Sequence, residues 1–419
     1  EEKPMRLSRT RLIAYSAPSL VTSVAALPMA LFIPAFYSGD LGVPLASVGV
    51  AIALSRLLDV VTDPLIGSLS DRLRIPGGRR KPWMILGAPL FLFSLWKIFV
   101  PGPEVTAAYL LFWSAVLYLG FTLIDLPHKA WGAEISTDYD ERTRITSWRE
   151  AIATAGQVAL LAGLVWLVAN GVEAAASQLR LIALIVVIIL PVLLGLCVFF
   201  VPERPPEIYA HPKRSVWAGL GIVARNPAFL RMIGCVLLFV SGVAVQGTLH
   251  RLVLADVMLD ENRFPLMILL ENLGTLAAVP IWLALSVRLG KHRALMAAAL
   301  WLAVWSLPLI FMRAGEVNWM TVIIVIRGSS FASILFIANS IAADVIDVDT
   351  LESGEQRSGL FFAVWGMAIK LSLALGVVLA TVLPSLAGYS PSDSPPTSII
   401  QGRLMMIYGA LPAVLMAFG

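Results

Sequence analysis

The stretch "LIALIVVIILPVLLGLCVFFV" (Leu181–Val201) contains no charged residue. An α-helix needs roughly 20 apolar residues to cross the hydrocarbon core of a bilayer, and this run is long enough. The rest of the chain has the same character. Of its 419 residues, 58% are hydrophobic and 14% are charged, whereas a soluble domain carries about 25% charged residues. A lipid-embedded segment must close its backbone hydrogen bonds internally, which helices do. Alternation of apolar and polar residues over segments of about 10, the mark of a membrane β-barrel, is not the pattern. The fold class read from the sequence is all-α and integral to the membrane.

Working outward from Leu181, twelve spans are expected, at roughly 11–37, 44–72, 83–101, 105–133, 145–170, 178–201, 227–256, 264–288, 293–312, 318–346, 358–386 and 398–419. The sixth runs into "PERPPEIYAHPKRS" (Pro202–Ser215), whose prolines and charges suit a linker. The expected organisation is an N-terminal six-helix bundle (1–201), a cytoplasmic linker (202–226) and a C-terminal six-helix bundle (227–419). The halves echo each other. Span two carries "LLDVV" and span eight "LLENL" (Leu269–Leu273); span four ends "GAEISTDYDERTR" (Gly132–Arg144) and span ten "AADVIDVDTLESGEQR" (Ala342–Arg357). Repeated halves of this kind suggest a transporter with its substrate near the bilayer midplane.

Orientation follows from Lys and Arg, which favour the cytoplasmic side. Arg72, Arg74, Arg79, Arg80 and Lys81 follow span two, Arg142 and Arg144 follow span four, and Arg288, Lys291 and Arg293 follow span eight. With alternating spans these loops share one side, which places both termini in the cytoplasm of a bacterial-type inner (plasma) membrane. "EEKPMRLSRTRL" at the start has no small-residue cleavage site, so no removable leader is expected. The net charge of +4 is too small to point to nucleic acid. Cys197 and Cys235 lie in apolar runs and read as packing rather than metal or disulfide chemistry.

The chemistry sits in charges inside the spans. An ionised group at the centre of a membrane helix costs at least ~2.5–3.5 kcal/mol, so each one needs a wet cavity or a partner. In "RLLDVVTDPLIG" (Arg56–Gly67), Asp59 and Asp63 are one turn apart and share a helix face with Arg56. Pro64 removes a backbone donor beside them. Two close carboxylates repel, so they share a cation or one keeps a proton: a site for Na⁺ or H⁺. The alternative is a structural ion pair with Arg56. "TLIDLPHKAW" (Thr122–Trp131) in span four brings Asp125, His128, Lys129 and Trp131. Asp125 reads as a substrate or cation ligand, or as a partner for Lys129. His128 is a proton carrier or a packing residue, and Trp131 a stacking platform or a packing residue. Lys370 is the one charge of span eleven and calls for a carboxylate partner from the first half. Arg149 and Glu150 open span five; adjacent helix residues point apart, so Arg149 reaches either the cavity or a cytoplasmic ion pair. In the second half, Glu271 and Asn272 replace the two aspartates, with Gln246, Thr248, His250, Arg251 and Arg327 as further candidates to line a path.

These motifs, in this order, resemble the major facilitator superfamily. "GSLSDRLRIPGGRR" (Gly67–Arg80) resembles its loop signature G-x-x-x-D-R followed by G-R-R. The resemblance gives Asp71 and Arg72, with Arg56, a gating role. "RLLDVVTDPLIG", "GRRKPW", "DLPHKAWGAEISTDYDERT", "SWREA" and "AADVIDVDTLESGEQRSGL" together resemble the glycoside–pentoside–hexuronide:cation symporters, the melibiose permease family, over nearly the whole chain. That resemblance implies two pseudo-symmetric six-helix bundles working by alternating access. It implies Asp59 and Asp63 as cation carboxylates, metal ligands where the ion is Na⁺, with Thr62 and Thr122 as neutral oxygen donors. It implies Asp125 and Arg149 as sugar contacts and Lys370 as the span-eleven lysine. The galactoside site is altered: the family's first-span carboxylate falls near Ser23, its stacking aromatic near Lys129, and Thr62 replaces an asparagine.

The expected function is therefore symport of a sugar, glycoside or sugar acid coupled to Na⁺ or H⁺. The substrate set is Asp125, Lys129, Arg149, Lys370, Trp131 and His128. Because lipid symporters share the resemblance, a lysolipid or other amphiphile is the alternative, as is proton-coupled export. An enzyme is not expected: there is no two-His helix motif, phosphate loop or nucleophile elbow. Neither is a cofactor. The expected partners are a small-molecule substrate, the coupling cation and the lipid bilayer, with the chain acting as a monomer.

Overall fold

The computed structural model describes residues 7–72, 78–136, 139–203, 225–353, 358–391 and 396–419. All are helix or connection, with no β-strand among the described residues. The helices are α1 (Arg9–Leu31), α2 (Leu45–Arg72), α3 (Lys81–Phe99), α4 (Ala107–Ile135), α5 (Tyr139–Ala169), α6 (Ala175–Phe200) and α7 (Pro227–Asp256). They continue with α8 (Phe264–Leu289), α9 (Lys291–Ser306), α10 (Val317–Gly328), α11 (Phe331–Ser353), α12 (Ser358–Leu386) and α13 (Ser398–Phe418). α10 and α11 form one crossing interrupted at Ser329 and Ser330. With that, 12 segments among the described residues are long and apolar enough to span a membrane, and the chain is a multi-pass membrane protein.

Helix starts follow local chemistry. The Thr106 hydroxyl accepts the amide of Tyr109 at 3.1 Å to open α4. Asn226 does the same for Phe229 at 3.0 Å, with Pro227 at the first helical position of α7. Each satisfies a donor that the first turn leaves without a partner. Pro64 lies inside α2 and Pro127 inside α4. A helical proline frees the carbonyl four residues back, so both helices carry a weakened backbone near the acids.

The chain divides into two compact units, Glu1–Phe36 with Leu54–His211 and Tyr37–Ala53 with Pro212–Gly419. In the first, α3 packs along α4, and α1 packs on α5 and α6. A Cβ at Gly120 would stand 2.6 Å from the amide nitrogen of Phe91. Glycine there lets the α3 and α4 backbones meet, the small-residue packing that membrane helices use. In the second unit, α7 packs on α12 and α13, around a core in which the rings of Phe229 and Phe361 meet edge to face at 4.8 Å.

The internal repeat has a structural counterpart. Arg80 at the head of α3 lies 2.5 Å from Glu134 near the end of α4. Lys291 at the head of α9 lies 2.6 Å from Asp344 in α11. In α3 the Ser94 hydroxyl bonds to the Leu90 carbonyl at 2.6 Å, and in α9 Ser306 bonds to Leu302 at 2.8 Å.

Candidate cation and substrate site

α2 and α4 build the acidic centre of the first unit. Asp59 is buried, only 4% exposed, and Asp63 is half-buried one turn on. The Thr122 hydroxyl of α4 lies 3.0 Å from Oδ1 of Asp59 and 2.9 Å from Oδ1 of Asp63. The two carboxylate oxygens are thus within about 6 Å of each other. A hydroxyl holds one proton, so Thr122 donates to one acid and faces the other with a lone pair. The second contact is favourable only if that acid is protonated or a cation lies beside both. Hard oxygen donors of this kind suit Na⁺ or H⁺. Thr62 spends its hydroxyl on the Asp59 carbonyl at 3.4 Å.

Arg56 takes a different partner. Its guanidinium carbon stands 4.9 Å from the ring centroid of Tyr118, a cation–π contact, and its Nε is buried without a hydrogen-bond acceptor. The ring of Tyr118 thus helps to hold its charge. Tyr118 gave no signal in the sequence, where one more aromatic in an apolar helix reads as packing.

One turn along α4 from Thr122, on the same face, Asp125 anchors a basic cluster. Lys129 Nζ lies 2.6 Å from Asp125 Oδ2, and Arg149 Nη1 lies 4.0 Å from Oδ1. Arg149 also pairs with Glu150 through its other terminal nitrogen. The long guanidinium reaches around α5, so the adjacent pair meets despite pointing apart at Cβ. Lys129 is half exposed and Arg149 is largely buried.

His128 and Trp131 face a different way. The Tyr15 hydroxyl donates to the His128 carbonyl at 2.8 Å, and His128 Nε2 meets the Tyr15 carbonyl at 2.7 Å. A carbonyl only accepts, so Nε2 carries the proton. Trp131 packs edge-on against Tyr15, lies under Lys81 Nζ at 5.2 Å and donates to the Pro202 carbonyl at 3.3 Å. This buried knot pins α1 to α4. Ser23, at the family's first-span carboxylate position, bonds to the α5 backbone at Ala153, 2.8 Å away.

Lys370 is half-buried on α12 in the second unit. The side chains of Asp71 and Arg72, the expected gate, lie outside the described residues. Among the described residues no group of three or more His, Cys, Asp or Glu is gathered as a metal cluster.

Residues 14–419 match the family described as "MFS/sugar transport protein". The chain is 24% identical over 417 residues to the "Glucuronide carrier protein homolog" of Escherichia coli (strain K12), covering 95% of this chain and 88% of that one. It is 25% identical over 396 residues to the "Putative glycoside/cation symporter YagG" of the same organism, covering 91% and 84%. The solved D-xylose-proton symporter aligns with a TM-score of 0.71 at 13% identity, covering 98% of this chain and 96% of that one, a likeness of fold.

Proposed function

Because the chain belongs to the MFS/sugar transport protein family, whose members are transporters and not enzymes, we propose that it is a cation-coupled symporter of a sugar, glycoside or sugar acid. Asp59, Asp63 and Thr122 hold the coupling cation, with Thr62 beside them. The observation that carries this reading is the single Thr122 hydroxyl set between two carboxylates. Asp125, Lys129 and Arg149 hold the substrate. Asp125 accepts sugar hydroxyls, and the two cations answer a carboxylate such as a uronate carries. Asp125 pairs with Lys129, so an acidic substrate competes with it for a cation already in place. The likeness to a glucuronide carrier protein homolog and a putative glycoside/cation symporter supports this class.

Coupling follows from geometry. Thr122 and Asp125 share one face of α4, so a cation at the first alters the charge felt at the second. If the cation raises substrate affinity, the substrate raises cation affinity by the same factor. Alternating access then moves both across the membrane, inward from the outer face of a bacterial-type inner membrane with both termini cytoplasmic, and the chain works as a monomer.

The test is thermal stability of purified protein against sugars, uronates and lysolipids, in NaCl and in choline chloride and at two pH values, repeated on Asp59→Asn. Stabilisation by a uronate or glycoside that needs the cation, and is lost in Asp59→Asn, supports the reading. Stabilisation by lysolipid alone reassigns the substrate. A cation response unchanged in Asp59→Asn moves the cation site elsewhere.

A further inference from the structure

The second unit holds a buried polar cluster that the transport reading leaves unused. Arg327, near the end of α10, has a side chain only 7% exposed. Its Nη2 lies 2.7 Å from Oε1 of Glu271 on α8. Its Nη1 donates to Oε1 of Gln246 on α7, and its Nε is buried without an acceptor. Gln246 in turn donates to the Tyr408 carbonyl at 3.2 Å and the Ser306 hydroxyl at 3.3 Å. One turn beyond Glu271, the Thr275 hydroxyl stands 2.8 Å from the Gly328 carbonyl. Glu271 lies across Gly328, where any side chain would run into it.

The register of the repeat makes this cluster the sequence equivalent of the aspartates. Aligning "LLDVV" with "LLENL" sets Glu271 at the position of Asp59 and Thr275 at that of Asp63, again four residues apart. The same offset relates Ser94 and Leu90 in α3 to Ser306 and Leu302 in α9. The ion pairs Arg80–Glu134 and Lys291–Asp344 repeat within two residues of it. In the first unit the neighbouring helix answers the acids with a neutral hydroxyl. In the second it answers with a guanidinium.

We propose that the Glu271 pocket is the second-half counterpart of the cation site and that Arg327 is its resident cation. The guanidinium is held by Glu271 Oε1 and Gln246 Oε1, hard oxygens with one negative charge, suited to a monovalent ion. A guanidinium stays protonated and is tethered, so it cannot leave during a cycle. The native chain therefore couples one monovalent cation, at Asp59 and Asp63, and loss of Arg327 opens a second site for Na⁺ or Li⁺. The inference rests on the cation role given above to Asp59 and Asp63.

The experiment uses the full chain purified in detergent, unfolded thermally in NaCl, LiCl or choline chloride at constant ionic strength and at two pH values. Arg327→Gln is expected to melt below the parent in choline. It should gain more than the parent from Na⁺ or Li⁺ and keep that extra gain when Asp59→Asn is added. Arg327→Lys, which restores a tethered cation, should show no extra gain. No extra gain in Arg327→Gln overturns the proposal. So does an extra gain abolished by Asp59→Asn, or a rescue by acid alone, which marks a lone carboxylate taking a proton. If Arg327→Gln does not fold, titration of the parent decides: one saturable class of cation site supports the proposal, and a second class surviving Asp59→Asn overturns it. Should Asp59→Asn leave the parent's response intact, the first-site assignment fails, while the behaviour of Arg327→Gln still decides this one.

Discussion

The hydroxyl of Thr122 on α4 lies 2.9 Å from Oδ1 of Asp63 on α2, and the same oxygen reaches Asp59. Thr122→Ala removes a neutral group in contact with both acids. A hydrogen bond to a charged group contributes about 1.5–3 kcal/mol, so cation affinity should fall on the order of 10–100-fold. Thr122→Ser, which keeps the hydroxyl, should recover most of it. Titrating the cation against thermal stability or substrate uptake checks both variants.

Asp125 holds Lys129 at 2.6 Å and stands 4.0 Å from Arg149. Asp125→Asn keeps the shape and removes the charge. It should abolish substrate-dependent stabilisation and uptake while the cation response of Asp59 and Asp63 persists. Arg149→Gln should weaken a uronate more than the matching neutral sugar. Equal loss for both substrates would place the carboxylate elsewhere.

Gly49, in the first half of α2, lies against Thr381 on α12 closely enough that a methyl at position 49 would overlap the threonine side chain. Both belong to the second unit. Gly49→Ala forces a backbone shift, and overpacking of this sort costs about 1–3 kcal/mol. Thr381→Ala removes the obstructing atoms, so the double variant should melt above Gly49→Ala alone, a coupling that only contacting residues show. Additive losses would refute the contact.

Tyr389, on the loop after α12, donates its hydroxyl to Asp256 Oδ2 at 2.5 Å. Burial, more than the adjacent carboxylate, pushes its pKa above the ordinary 10.0. The folded state therefore holds this proton more tightly than the unfolded state. The stabilisation is complete below pH ~10 and declines as pH rises toward the higher folded value. Tyr389→Phe should lower the melting temperature at neutral pH, because Asp256 loses a donor. It should also fall less steeply than the parent at alkaline pH. A parallel alkaline profile would show that the phenol does not titrate with unfolding.

His128 shows where a linear reading ends. In the sequence, a histidine between an aspartate and a lysine reads equally as a proton carrier or as packing. Tertiary contact with Tyr15 across α1 makes it a fastener. Trp131 follows the same logic through Lys81 and Pro202. Arg56 shares a face with the two acids in the sequence, and its guanidinium lies over the Tyr118 ring, a contact no spacing signals.

What the sequence by itself determined is the membrane-spanning helical architecture and the placing of acids on one face of α2 and one face of α4. Hydrophobic length and the 3.6-residue period set those features within a single segment. The tertiary structure decided which segment answers each charge: a shared hydroxyl for Asp59 and Asp63, a ring for Arg56, a guanidinium for Glu271. The physical reason is that partners come from helices far apart in the chain. A buried charge in a low-dielectric interior is stabilised only by atoms that packing brings within reach, and no spacing along one helix records which those are.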